Sequence, residues 1–184
     1  MNILAGALGT LVILSGAAFI FLYTGWYDVA ATTPHWEITS WILSEARDRS
    51  IAYHSRGIQA PSLKDSKMVK TGFEEYHAMC RLCHGAPGYA PTEISRGLNP
   101  KPPDLGSEDA QSLRAGEVYW TVRNGIKMTG MPGFGPTHDE NELWAIVGFV
   151  KRIPAIQAKE YEAMARDAER GKEKGGHRHD SKKY

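Results

Sequence analysis

The sequence predicts a helical protein in three unlike parts: a membrane-crossing helix, a connecting helix with its linker, and a helical domain with a charged extension. Three observations predict it. The stretch from Ile3 to Tyr23 holds 21 residues without a charge. Apolar residues in several later segments recur at helical spacing. Gly- and Pro-rich loops separate these segments, and a length of 184 residues accommodates one domain with some accessory chain.

Charge and cysteine content exclude some classes of protein. The net charge is +1, from 22 Lys and Arg against 21 Asp and Glu, which is not the basic footprint of a nucleic-acid-binding domain. This near-neutrality is a sum of unlike parts: one acidic residue in residues 1–35, a net of −2 in 36–150 and a net of +4 in 151–184. Two cysteines cannot form a disulfide scaffold.

Residues 1–27 are predicted to form a transmembrane anchor. At 1.5 Å rise per residue the uncharged stretch spans about 30 Å, the thickness of the hydrocarbon core of a bilayer, and Trp26 and Tyr27 follow as interfacial aromatics do. The alternative is a secretory signal cleaved near Ala30-Ala31. A retained anchor is favoured, because the stretch is longer than a signal h-region and lacks a basic n-region.

Residues 28–67 are predicted to hold a juxtamembrane helix and a linker. The helix is expected over 34–58, with Pro34 in its first turn and Gly57 at its end. This helix could lie along the membrane surface, pack against a partner or only connect anchor and domain. The linker is expected from Gln59 to Lys67, where Pro61 and polar residues concentrate.

Three further helices are predicted in residues 68–153. Asp65 or Ser66 can cap the first, whose apolar residues lead directly to Cys80. An irregular Gly- and Pro-rich loop is expected over 85–111, and the second helix over 113–124, with Gly125 as its stop. Thr137 and Glu140 have the spacing of a capping box before the third.

The last part, residues 154–184, is predicted to be a charged helix from about Ala155 to Arg170 followed by a disordered tail from Gly171 onward. The tail prediction rests on its Gly- and Lys-rich composition.

The string Cys80-Arg81-Leu82-Cys83-His84 is the attachment motif of c-type haem. In this motif both thiols form thioethers with the haem and the adjacent histidine ligates the iron. A thioredoxin-like redox pair would open a helix, whereas this pair closes one. A zinc site built from His77, Cys80, Cys83 and His84 lacks the separated second ligand pair that structural zinc sites use.

A sixth iron ligand is expected in the loop Lys127-Met128-Thr129-Gly130-Met131-Pro132-Gly133. A thioether favours ferrous iron and raises the reduction potential. Met131 is the predicted ligand, because Pro132 restricts its backbone to extended geometry and the flanking glycines allow a close approach to the porphyrin. Met128 is the less favoured ligand and is expected to pack in the haem pocket.

The segment from about residue 68 to residue 153 resembles the class I cytochromes c, especially membrane-anchored mono-haem proteins and the cytochrome c subunits of respiratory complexes. The resemblance rests on Gly72 and Tyr76 ahead of CRLCHG, on KPPDL, on NGIKMTGMPGFG and on the helix LWAIVGFV. It implies an all-α class I cytochrome c fold, here with an N-terminal transmembrane helix and a juxtamembrane helix. The first and last helices of the domain would cross through Gly72 and Tyr76 against Gly148 or Phe149.

The resemblance also implies the cofactor and its ligands: one covalently attached haem c, held by Cys80 and Cys83 and ligated by His84 and Met131. A proline carbonyl would accept the Nδ1 proton of His84, and four prolines are candidates: Pro91, Pro100, Pro102 and Pro103.

The implied function is single-electron transfer rather than catalysis. The expected place is the bacterial inner membrane, single-pass, with the haem domain in the periplasm. The expected partners are a redox donor and acceptor, such as a quinol-oxidising complex, a dehydrogenase or a terminal oxidase. A permanent haem subunit of a larger membrane oxidoreductase complex is the alternative.

Overall fold

A computed structural model describes residues 2–174 of the chain and divides it into two compact units, 1–34 and 35–184. Within the described residues every regular element is a helix and no strand forms; Ala86 and Tyr89 alone make an isolated bridge. The predicted all-α class is therefore confirmed.

The first unit contains α1 (Asn2–Tyr23), and among residues 2–174 this is the one helix long and apolar enough to cross a membrane. Its apolar side chains are exposed all round: Ile3 is 90% exposed and Leu22 73%. A helix that is apolar on every face suits a lipid environment.

The second unit begins with α2 (Glu37–His54), which starts later than predicted. Trp36 is the N-cap and Pro34 lies outside the helix, so the expected first turn was wrong. The end of α2 packs on the domain: Ile51 and Ser55 are buried, and Arg114 donates to Ser55 Oγ at 3.1 Å. The helix is thus more than a connector, because its last turn belongs to the domain's packed surface.

The domain is built on a crossing of two helices, α3 (Ser66–Glu75) and α8 (Glu140–Val150). Of the two predicted caps, Asp65 is the one that caps α3, accepting from the backbone N–H of Lys67 and Met68. A Cβ on Gly72 would lie 1.9 Å from the carbonyl oxygen of Ala145, so only glycine permits this approach. The implied contact of Gly72 with Phe149 is present, whereas Gly148 faces Leu63 and Met68 instead.

The segment between these helices is more regular than predicted. After α3 come a π-helical turn (Tyr76–Cys80) and α4 (Arg81–His84). The expected loop contains α5 (Glu93–Arg96) and α6 (Glu108–Ser112), and α7 (Ala115–Asn124) follows. Gly125 ends α7 as predicted, with φ +67°.

The predicted capping box of α8 began at Thr137, two residues before the observed N-cap. Asp139 is the N-cap and Glu142 its partner: Asp139 Oδ1 accepts from Glu142 N at 3.0 Å, and Glu142 Oε2 accepts from Asp139 N at 2.8 Å. Thr137 is unsuited to the role, because its hydroxyl donates to the Phe134 carbonyl at 3.2 Å.

A short 3₁₀ turn (Ile153–Ala155) precedes α9 (Ala158–Lys174). Pro154 lies in that turn, which delays the start of the helix beyond the predicted Ala155. The helix continues through Gly171 to Lys174, so the predicted disorder is wrong for 171–174, and the remaining tail lies outside the described residues.

Candidate functional site

The candidate site is built on one nearly continuous helical segment, α3 through α4, which carries Cys80, Cys83 and His84 at its carboxyl end. The two cysteines are half-buried free thiols, so no disulfide links them. A π turn adds a residue to the helical repeat and is frequent at functional sites. Here it ends at Cys80, the first residue of the motif.

The orientation of the His84 ring is fixed by a hydrogen bond from one ring nitrogen. Nδ1 donates to the carbonyl oxygen of Pro103 at 2.8 Å, which selects Pro103 among the four candidate prolines. Burial lowers the pKa of His84, so the ring is neutral at pH 7. A neutral imidazole whose Nδ1 is engaged presents Nε2 as a metal ligand of defined orientation.

Three side chains hold the backbone carbonyls around the motif. Tyr76 donates from its phenol to Gly85 O at 2.8 Å, Thr92 Oγ1 to Leu82 O at 2.7 Å, and Ser95 Oγ to Cys83 O at 2.6 Å. The last carbonyls of a helix have no intrahelical donor, so these bonds satisfy them. Thr92 and Ser95 were missed by sequence reasoning, because nothing in a Gly- and Pro-rich loop marks which hydroxyl folds back.

The alternative chemistries of the cysteine pair find no support here. Burial raises the pKa of Cys80 to about 12, whereas the reactive cysteines of redox pairs have depressed pKa values. Within residues 2–174 no group of three or more His, Cys, Asp or Glu side chains is arranged to hold a metal ion. His77, the outermost ligand of the hypothetical zinc site, is engaged at Nδ1 with the Tyr161 hydroxyl at 3.0 Å.

The methionine loop is held mainly by its own backbone and by Thr129. Thr129 Oγ1 donates to Ile126 O at 2.8 Å and accepts from Met131 N at 3.1 Å. Ile126 N donates to Met131 O at 3.1 Å. The Met131 side chain is half-buried against the core, whereas Met128 has φ +59° and is 85% exposed.

Two glycines on either side of the methionine loop, Gly125 and Gly133, allow close contacts between backbones. A Cβ on Gly125 would lie 2.6 Å from Gly133 N, and one on Gly133 would lie 2.8 Å from Asn124 C. In this structure the glycines therefore let the methionine loop close on the end of α7. Phe134 N and Gly135 N also donate to carbonyls of that helix.

The aromatic residues of α7, Tyr119 and Trp120, contact Trp144 and α2. Tyr119 is buried and stacks on Trp144 with ring centroids 4.2 Å apart, and Trp120 stacks on His54 of α2 at 5.6 Å. With Arg123 they line a cavity of about 450 Å³. A separate cavity of about 410 Å³ lies beside His84 and Tyr76.

The residues present fit a covalently attached haem. Two thiols stand three residues apart on one helical segment, the next residue is a neutral imidazole already held at Nδ1, and a thioether is available on a loop. This donor set of sulfur, nitrogen and thioether matches that of haem iron proteins.

A comparison with protein families gives one match: the family described as "Cytochrome C oxidase, cbb3-type, subunit III" matches residues 67–150. The match runs from the first turn of α3 to the end of α8 and includes the cysteine motif and the methionine loop. It leaves out α1, α2 and α9. No curated protein matches the chain.

Proposed function

We propose that the chain is a membrane-tethered mono-haem c-type cytochrome that passes single electrons between respiratory-chain partners. The family match over residues 67–150 supports a cytochrome c domain in this part of the chain. The observation that carries the proposal is the 2.8 Å bond from His84 Nδ1 to Pro103 O, directly after the cysteine pair. It prepares an imidazole as a ligand beside two thiols.

In this proposal each side chain has one role. The Cys80 and Cys83 thiols would hold one haem through thioether bonds, and His84 Nε2 and the Met131 sulfur would ligate its iron. When bound, the haem would supply a one-electron Fe(III)/Fe(II) couple.

The proposed place is the bacterial inner membrane, with α1 as a single-pass anchor and the haem domain in the periplasm. The length and apolar composition of α1 support the anchor. Tethering raises the effective concentration of the domain near membrane-bound partners. The proposed donor is a quinol-oxidising complex or a dehydrogenase, and the proposed acceptor is a terminal oxidase.

Expression with exported haem-attachment machinery tests the proposal. We expect one haem per chain that resists acid–acetone extraction, a methionine–iron absorption band in the ferric protein, and recovery of the chain in the membrane fraction. The Cys83→Ala variant is the control for covalent attachment. Extractable haem in the parent protein would contradict the c-type assignment, and a soluble parent protein would contradict the anchor.

A permanent haem subunit of a larger membrane oxidoreductase complex is the second candidate. It is favoured by α2, whose amino-terminal half exposes Trp36 (59%) and Trp41 (63%) as possible interface anchors. The matched family is also named for an oxidase subunit. Native sizing after mild detergent extraction separates the candidates: a lone 20.4 kDa chain in its micelle favours the free carrier.

An enzyme or gas sensor would need an open sixth position. Binding of carbon monoxide by the ferrous protein at neutral pH tests for it. The carrier proposal predicts no binding while Met131 ligates the iron.

A further inference from the structure

Helix α9 lies outside the matched family segment, yet it packs on the helix that carries the cysteine motif. Tyr161 is fully buried and Ala165 is 4% exposed. A Cβ on Gly88 would lie 3.0 Å from Ala158 Cβ, so the loop after the motif also contacts this helix closely. The buried face of α9 is therefore part of the haem domain's core.

The centre of this contact is Tyr161. Its ring lies 5.1 Å from Phe73 and 5.4 Å from Tyr89, measured between centroids. A buried phenol needs a hydrogen-bond partner. The partner is His77 Nδ1, 3.0 Å from the Tyr161 hydroxyl. Burial raises the pKa of Tyr161, so the hydroxyl keeps its proton at all physiological pH values.

His77 lies where it can influence the orientation of the cysteine motif. It lies in the π turn, three residues before Cys80. Its carbonyl accepts from Arg81 Nε at 3.3 Å, and the Arg81 guanidinium lies over the Tyr89 ring at 5.1 Å. Since Tyr89 contacts Tyr161, these side chains form a closed ring of contacts around the turn.

We propose that Tyr161 is a positioning residue for the haem-attachment segment. By holding His77 from α9, it fixes the π turn, and the π turn sets where Cys80, its last residue, lies relative to Cys83 and His84. The inference rests on the proposed function, because it concerns how the proposed haem ligands are oriented.

A change in helical register at the π turn would rotate everything after it. The α-helical hydrogen-bond pattern and the π pattern differ by one residue per turn. The carbonyls of Leu82 and Cys83 within the motif and of Gly85 just after it are held separately, by Thr92, Ser95 and Tyr76. Loss of the Tyr161 hydroxyl should therefore shift Cys80 while Pro103 still holds His84, which changes the orientation of the imidazole relative to the attached haem without releasing the haem.

The test uses the full chain carrying its haem. Tyr161→Phe removes the hydroxyl and keeps the ring, and His77→Phe keeps an aromatic ring at position 77 but removes the nitrogen that bonds to the hydroxyl. Ala165→Gly is the matched control, since it weakens the same buried face of α9 without touching the hydrogen bond. Haem-methyl proton resonances of the ferric protein are measured by NMR, because they report the orientation of the axial ligands.

We expect Tyr161→Phe and His77→Phe to move the haem-methyl resonances in the same direction, and the double variant to move them no further than the larger single change. Ala165→Gly should lower the melting temperature and leave the resonances at the parent positions. Unchanged resonances in Tyr161→Phe, or equal shifts in Ala165→Gly, would overturn the positioning role alone. A parent chain without covalent haem would overturn the proposed function as well.

Discussion

The two sides of the candidate haem site are held in different ways. On the histidine side, His84 and the carbonyls around it are bound by residues from several segments, including Tyr76, Ser95 and Pro103. On the methionine side, Met131 is held within its own loop by Thr129 and Ile126. The histidine is therefore fixed by contacts distant in sequence and the methionine by local ones. We expect substitutions in the loop to alter iron ligation while the fold remains, and substitutions on the histidine side to alter stability first.

The largest effect is expected from Met131→Ala. Losing a thioether ligand should abolish the methionine–iron absorption band and lower the reduction potential by on the order of 100 mV, within the span of about 0.8 V that axial ligands provide. Potentiometric titration of the haem-loaded chain measures it.

Met128→Ala is the matched control, because this side chain is 85% exposed and in the same loop. Met128→Ala should leave the methionine–iron absorption band and the reduction potential unchanged. A band that survives in Met131→Ala and disappears in Met128→Ala would reverse the ligand assignment.

Ser95→Ala is expected to have the next largest effect, and on the histidine side. Ser95 is 5% exposed and donates to Cys83 O at 2.6 Å, so the substitution leaves a buried acceptor without this donor. The free energy of unfolding should fall by about 1–3 kcal/mol, measured by urea denaturation. The methionine–iron band should persist in the folded protein.

The exposed Ser112 supplies a control, since its hydroxyl bonds only to Asp109 O in the same turn. Ser112→Ala should change stability by less than about 0.5 kcal/mol. Equal losses in the two serine variants would mean that the Cys83 carbonyl is not held as described.

The contrast between the two sides also explains what sequence could predict. The cysteine motif, the Asp65 cap and the Gly125 stop depend on neighbours within a few residues, and all three positions follow from spacing. Ser95 and the choice of Pro103 depend on how a 27-residue irregular segment, 85–111, folds back, and no periodicity encodes that path. The packing of α9 was missed for a related reason: its charged composition concealed one buried face, which is formed by Tyr161, Met164, Ala165 and Ala168.

Thr129→Ala should have a smaller effect on stability and a more specific one on ligation. Thr129 Oγ1 bridges Ile126 O and Met131 N, both inside the loop. We expect a loss of about 1 kcal/mol in unfolding free energy. The methionine–iron band should be lost on heating at a lower temperature than global unfolding, which absorbance and circular dichroism followed together would show.

Thr129→Ser keeps the bridging hydroxyl and is the matched control, with band and unfolding expected to coincide as in the parent. If Thr129→Ala lost the band only together with the fold, the methionine loop would be as firmly coupled to the core as the histidine side, and the contrast would fail.

The smallest effect on stability is expected at the start of α8, which follows the methionine loop. There the two candidate N-caps, Asp139 and Thr137, can be told apart by substitution. Asp139 accepts from the backbone N–H groups of Asn141 and Glu142, at 2.9 and 3.0 Å, so Asp139→Ala should cost about 1 kcal/mol of unfolding free energy. Thr137 bonds back to Phe134 O instead, and Thr137→Ala should cost less than about 0.5 kcal/mol. Urea denaturation of both variants decides between them.

Because the cap belongs to the α3–α8 crossing rather than to the loop, the methionine–iron band should survive in each folded variant. If Thr137→Ala lowered the unfolding free energy more than Asp139→Ala, Thr137 would be the N-cap of α8. The cap would then stabilise the end of the methionine loop rather than the helix.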